Sequence, residues 1–320
     1  MNSKHLIDPE IIAMLNGFPD NNFSDENIVE IRKNMADMMA SMPSKKIQGV
    51  AVKEKYIDGV GFKIRILIYT PDNNLNGRPA LFHVHGGGYV VGSPEDFDGR
   101  NQLLCKELGA VIVSASYRLA PEHPFPDSID DCYTALKWLF SNAVSLGVDA
   151  SRIAIYGESA GGGLAASLAI LVRDKNEVNI VHQFLIYPML DDRTSLEADP
   201  NPYAGEFIWT NERNYYGWKS LLGHEPGGDD VSPYASASRI SNMQGLAPVF
   251  ICVGALDLFV DENIMYAQRL IRSGIPTELH VYPGGFHGFD TMQDSAISKQ
   301  FYVDLIGAMK KALSAPNIDR

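Results

Sequence analysis

Ser159 stands in Gly157-Glu158-Ser159-Ala160-Gly161, a G-x-S-x-G pattern leading from the apolar stretch Ile153–Tyr156 into a run of small residues. A serine on a sharp strand-to-helix turn projects its hydroxyl from the sheet, and the helix N-terminus beside it favours developing negative charge. Side chains at 157 and 161 would obstruct the approach of strand and helix, which accounts for glycine at both. Chance yields this pattern in roughly one chain in six of this composition. The strand before it and the helix after it carry the weight.

A second constellation, His85-Gly86-Gly87-Gly88, follows the apolar run Leu81–Val84. Acyl transfer places negative charge on a carbonyl oxygen, and preorganised backbone N–H groups stabilise it. Consecutive glycines leave such donors bare and admit conformations closed to other residues. Gly87 and Gly88 are the candidate oxyanion donors with Ala160 as the third, and Gly86 is able to replace one of the first two. Other uses of these residues fail on spacing. A dinucleotide fingerprint beginning at Gly86 needs glycine at 91, where Val91 stands, and no phosphate-binding G-x-x-x-x-G-K-[ST] occurs. His83 and His85 share one side of a strand as a metal pair would, but no third ligand has recognisable spacing, so no metal is expected.

A serine nucleophile needs an imidazole beside it, and the imidazole needs a carboxylate to hold its tautomer. In the strand–turn–helix setting the chain order is serine, acid, histidine. Of eight histidines, His182, His224, His280 and His287 follow Ser159. His182 falls at the start of a strand pattern, His224 in an irregular region and His280 inside the alternating strand Glu278–Tyr282. His287 lies just beyond that strand in a glycine-rich loop, and is the base the pattern selects. Asp257 leaves the apolar run Pro248–Ala255 and is the preferred acid; Asp191 and Asp192, after the previous run, compete with it. Asp261 and Glu262 read as the first turn of the next helix.

These groups need a frame. The runs Ala80–Val84, Ala110–Ser114, Ile153–Tyr156, Phe184–Tyr187 and Val249–Val253 are nearly continuously apolar, as in parallel strands covered on both faces. Helical patterns at Ser128–Phe140 and Ala160–Val172 alternate with them, which predicts an α/β fold with helices on both faces. Val50–Val52 and Phe62–Tyr69 alternate as half-exposed strands do. Before them, residues 9–42 read as two helical pieces, one with Ile11, Ile12 and Leu15, the other with Ile28, Ile31, Met35, Met38 and Met39. Residues 191–245, rich in Asp, Pro, Asn, Gly and aromatics, break the rhythm. The division this predicts is N-terminal cap helices over 1–45, core over 46–190, a cap insertion over 191–245 and core again over 246–320.

At 320 residues and a net charge of −12, the chain lacks the basic excess that nucleic acid or an anionic membrane surface requires. No secretory signal or transmembrane stretch is read, and Cys105, Cys132 and Cys252 have no metal or redox spacing, which suggests buried thiols and a cytoplasmic protein.

The chain resembles the hormone-sensitive-lipase-like family of bacterial carboxylesterases. The resemblance runs from about residue 45 to 310. It rests on His85-Gly86-Gly87-Gly88, Tyr117–Pro126 (YRLAPEHPFP), Gly157–Gly162 (GESAGG), Asp257–Glu262 (DLFVDE) and Phe286-His287-Gly288-Phe289. It implies the α/β-hydrolase fold: a mostly parallel eight-stranded sheet under a helical cap, with no cofactor and with homodimers formed through the last strand. Glu158 departs from the aspartate more usual in the serine motif, keeping the charge on a longer arm. The expected reaction is hydrolysis of short-chain acyl esters through an acyl-enzyme. Amide hydrolysis and a non-catalytic receptor are the competing uses of the fold.

Overall fold

Eight strands form one sheet in the order β1-β2-β4-β3-β5-β6-β7-β8. They are β1 (Val50–Asp58), β2 (Lys63–Pro71), β3 (Arg78–Val84), β4 (Val111–Ser116), β5 (Val148–Glu158), β6 (Gln183–Ile186), β7 (Val249–Gly254) and β8 (Thr277–Tyr282). β1 and β2 are antiparallel to their neighbours; every pairing from β4 to β8 is parallel. The helices are α1 (Ile28–Ser41), α2 (Asp98–Leu108), α3 (Asp127–Ser141), α4 (Ala160–Lys175), α5 (Asn211–Leu222), α6 (Val260–Arg272) and α7 (Ala296–Ser314). The computed structural model describes residues 3–17, 22–41, 46–73 and 76–314.

Strand residues alternate between two buried layers, because successive side chains point to opposite faces. Phe82, Val113, Ile155 and Ile251 join α3, α4 and α6 on one face. Leu81, Ile112, Tyr156, Phe184 and Phe250 join α2 and α7 on the other. The central strands need apolar residues at both parities, which is the origin of the continuous runs in the sequence, whereas β1 and β8 at the edges are largely exposed or half-buried.

The first N-terminal piece is helical, in the tighter form. Ile12–Gly17 forms a 3₁₀ helix rather than an α-helix, with Ile11 fully buried and Ile12 exposed. The second piece is α1, where Ile28 is buried and Ile31 and Met35 pack against Val90, Val91 and Ala120. Met38 faces solvent, and the side chain of Met39 lies outside the described residues. Arg32 fastens α1 to the loop after β3: its guanidinium donates to the carbonyls of Val90 and Ala120, both at 2.6 Å, and to both oxygens of Glu122.

Residues 191–245 hold α5 and two short 3₁₀ turns. Their first half touches the N-terminal segment. Glu206 accepts from the backbone and hydroxyl of Ser3, Tyr216 donates to Asp25, and Phe23 packs on Trp209 and Tyr216. Their second half turns back beneath, where Ala237, Ile240 and Met243 enter the main core. The start of the excursion is fixed by Asp192, fully buried, which takes two hydrogen bonds of 2.7 Å from Arg239 and one from the Gly227 N–H.

Burial alone would raise the Asp192 carboxyl, but the Arg239 contact and the Gly227 bond outweigh it and hold the group below its ordinary range. Arg239→Ala strands that carboxylate and is expected to cost about 3–5 kcal/mol, read as a fall in Tm near neutral pH. The pair stabilises above the ordinary carboxylate pKa and is lost as pH falls through the lowered one. The Tm difference between variant and parent should therefore narrow in acid.

Candidate active site

Parallel strands deliver the candidate residues to one edge, since each loop leaving a strand's carboxyl end opens on the same side. The glycine run follows β3, Ser159 follows β5, Asp257 follows β7 and His287 follows β8. Ser159 has φ +57° and ψ −124°, a conformation few side-chain-bearing residues adopt. The turn is held by three backbone bonds: the Ser159 N–H donates to Ile186, and its carbonyl accepts from Gly163 and Met189. A Cβ at Gly157 would lie 2.4 Å from the Gly161 oxygen, and one at Gly161 only 2.1 Å from the Val84 oxygen. The strand and helix therefore meet at backbone contact, as the pattern predicted.

His287 Nε2 lies 2.9 Å from Ser159 Oγ, and His287 Nδ1 lies 2.8 Å from Asp257 Oδ2. The other Asp257 oxygen accepts from the Phe259 N–H at 3.0 Å. An Asp257 carboxylate accepts the Nδ1 proton, which leaves Nε2 with a lone pair toward the hydroxyl. All three side chains are buried. Phe259 and Tyr187 meet the imidazole edge-on, at ring separations of 5.3 Å and 4.8 Å, and Trp209 lies at 6.0 Å.

Gly87 and Gly88 have φ of +118° and +61°, and among the described residues their N–H groups donate to nothing else. Ala160 is the first residue of α4, where the N–H has no partner within the helix. A Cβ on Gly86 would come within 3.4 Å of the Ser159 Cβ, so the glycine run sits directly beside the hydroxyl. The Trp209 ring lies on Gly88 so closely that a Cβ there would be 2.1 Å from it.

The remaining candidates go elsewhere. Asp192 pairs with Arg239, and Asp191 with Arg193. His182 Nδ1 donates to the Gln183 carbonyl, His224 Nδ1 donates to that of Glu225, and His280 meets Glu278. His83 Nε2 donates to Glu158 at 2.9 Å, and its Nδ1 lies 2.7 Å from the Ser114 hydroxyl. Burial pushes His85 down to about 4, so its ring is neutral; Nδ1 donates to the Gly86 carbonyl while the ring stacks on Tyr117. Among the described residues no group of three or more His, Cys, Asp or Glu is placed to hold a metal ion, and no helix is long and apolar enough to cross a membrane.

Residues 81–291 match a family model described as the alpha/beta hydrolase fold. This chain belongs to the α/β-hydrolase family. Its motifs place it with the hormone-sensitive-lipase-like carboxylesterases. Esterase LipI of Mycobacterium tuberculosis is 32% identical to this α/β hydrolase over 89% of the chain and 88% of its own length. An arylesterase of Saccharolobus solfataricus is 30% identical, covering 95% and 98%. Among solved structures, a bacterial heroin esterase superposes with a TM-score of 0.91 at 35% identity, covering 98% of this hydrolase and all of that chain.

Sequence reasoning missed Arg100, Tyr187 and Asp290, a buried cluster that adjoins Ser159 through Glu158 and His287 through the Tyr187 ring. Arg100 donates to Glu158 at 2.7 Å and to Asp290, and the Tyr187 hydroxyl donates to Asp290 at 2.8 Å. The unusual Glu158 was the one sequence signal pointing toward them.

Gly88→Ala adds a methyl that collides with Trp209 at a backbone angle unfavourable to alanine. Ester turnover in the purified variant is expected to fall by about 10²–10³-fold, the cost of losing one oxyanion donor.

Proposed function

We propose that this α/β hydrolase is a serine carboxylesterase acting on short-chain acyl esters. The observation that carries the reading is the unbroken contact from Asp257 through His287 to Ser159, beside bare N–H groups at Gly87 and Gly88. His287 takes the hydroxyl proton as Ser159 Oγ bonds to the ester carbon. The N–H groups of Gly87, Gly88 and Ala160 receive the oxyanion, and Asp257 stabilises the imidazolium. The C–O bond to the alcohol then breaks, and His287 returns the proton to the leaving oxygen. Water, deprotonated by the same imidazole, attacks the acyl-enzyme; the acid departs and Ser159 regains its proton. No step calls on a cofactor.

Residues 1–45 and 191–245 serve in this reading as the cap, supported by the contacts of Ser3, Phe23 and Asp25 with Glu206, Trp209 and Tyr216. Trp209 bounds the space over Gly88 and beside His287, which favours small acyl groups. Three buried free cysteines fit a reducing cytoplasmic setting, and the open edge of β8 is where two copies would pair.

Ser159→Ala is expected to lower kcat on an aryl acetate by about 10⁴–10⁶-fold and to abolish covalent labelling by a fluorophosphonate. Near-normal turnover would refute the assignment. For acyl range, rates on p-nitrophenyl esters of increasing chain length should peak at short acyl groups in the parent and shift toward longer ones in Trp209→Ala. A parent peak at long chains would overturn the substrate preference while leaving the chemistry standing.

A further inference from the structure

We propose that Arg100 is a positioning residue that holds the Ser159 turn and the His287 loop in register through Glu158 and Asp290. The proposal rests on the esterase reading above and concerns how the reacting pair is kept together.

Ser159 and His287 come from loops after β5 and β8, with β6 and β7 between them. The sheet brings these loops to the same edge, but a productive hydroxyl–imidazole contact tolerates a displacement of only about 0.5 Å. Something must fix one loop against the other, and the guanidinium of Arg100, on α2, touches both. Nη1 donates to Glu158 Oε1 at 2.7 Å, on the residue immediately before the nucleophile. Nη2 donates to Asp290, three residues beyond the base. Arg100 is 7% exposed, Glu158 1% and Asp290 not at all. The rings of Phe97, Phe301 and Tyr302 lie 5.7–5.9 Å from the guanidinium carbon, which fixes its plane.

Both carboxylates use their second oxygen inside the same network. Glu158 Oε2 accepts from His83 on β3. Asp290 Oδ1 accepts from Tyr187, whose ring meets His287 edge-on at 4.8 Å. Arg100 therefore reaches the imidazole by two routes, along the chain from 290 to 287 and through the Tyr187 ring. It reaches the hydroxyl by the peptide joining 158 to 159. Only a planar fork of donors can serve two carboxylates from different segments in this way; an ammonium lacks the fixed geometry. The cluster is also charge-dependent. Burial would raise the Glu158 carboxyl, and its neighbours His83 and Arg100 reverse that and hold it low. The longer arm of Glu158 carries its carboxylate to Arg100, which gives the departure in the serine motif a physical use.

The test compares parent, Arg100→Lys and Arg100→Met/Glu158→Gln on p-nitrophenyl acetate, with rates divided by the number of sites titrated to completion with a fluorophosphonate. The double variant removes one cation and one anion together, so the cluster keeps its net charge while the tie is cut. Its kcat per labelled site is expected to fall about 10- to 100-fold with KM within about threefold, the signature of a misplaced reacting pair. Arg100→Lys should show an intermediate fall in kcat, again without a matching rise in KM. A purely structural role would change the number of labelled sites and the Tm but not the rate per site. That outcome, or a loss confined to KM, overturns the proposal. If the double variant does not fold, Arg100→Lys decides alone: a rate per site equal to the parent's rejects the role. A parent chain that takes no label and cleaves no ester would reject the esterase reading instead.

Discussion

At Ser159 the chain passes from β5 into α4 with a φ of +57°, a conformation that costs a residue with a side chain on the order of 1–3 kcal/mol. The surroundings are arranged to enforce it. Gly157 and Gly161 let strand and helix touch, Ile186 and Met189 hold the serine's own backbone, and Gly86 lets the neighbouring loop come within reach of its Cβ. Because the turn projects the hydroxyl beyond the sheet edge, every other group of the site must be brought to that edge as well. The parallel order of β3, β5, β7 and β8 does so, and none of Gly87, Gly88, Ser159, Ala160, Asp257 and His287 comes from the antiparallel β1 and β2.

The parts of this arrangement readable from the sequence are those where local geometry restricts residue type. Glycine at 157 and 161, the bare run from 86 to 88 and a histidine just past a strand leave few alternatives, and Asp257 followed from the same position rule applied to β7. The central strands were legible for a related reason: a sheet covered on both faces makes its inner strands apolar at both parities. Parts that depend on which loops become neighbours were hidden. Arg100, Tyr187 and Asp290 are separated by 87 or more residues along the chain between Arg100 and the others, and nothing in their local spacing marks them as partners. The N-terminal piece around Ile11 and Leu15 reads as helical from its periodicity, and it is a 3₁₀ helix over Ile12–Gly17 with Ile11 buried just before it. Short segments give periodicity too few turns to separate the two forms.

Aromatic residues divide between two duties around His287. Phe259 and Tyr187 stand against His287 from the sheet side, where their rings restrict how the imidazole can turn. Trp209 comes from the excursion and is held by Phe23 and by a hydrogen bond from its indole N–H to Asn214. It lies on the glycine loop, so the absence of a side chain at Gly88 serves packing as much as backbone freedom. The same residue that leaves a donor bare also makes room for the wall above it.

Arg32 ties α1 to the carbonyls of Val90 and Ala120, and Val90 lies two residues beyond Gly88. The segment holding the bare amides therefore draws part of its rigidity from a helix that contributes no strand to the sheet. Local opening of a protein begins where buried apolar contact is sparse, and α1 offers mainly Ile28, Ile31 and Met35. The glycine segment and the pairing of the eight strands thus rest on different contacts, the first partly on a helix outside the sheet.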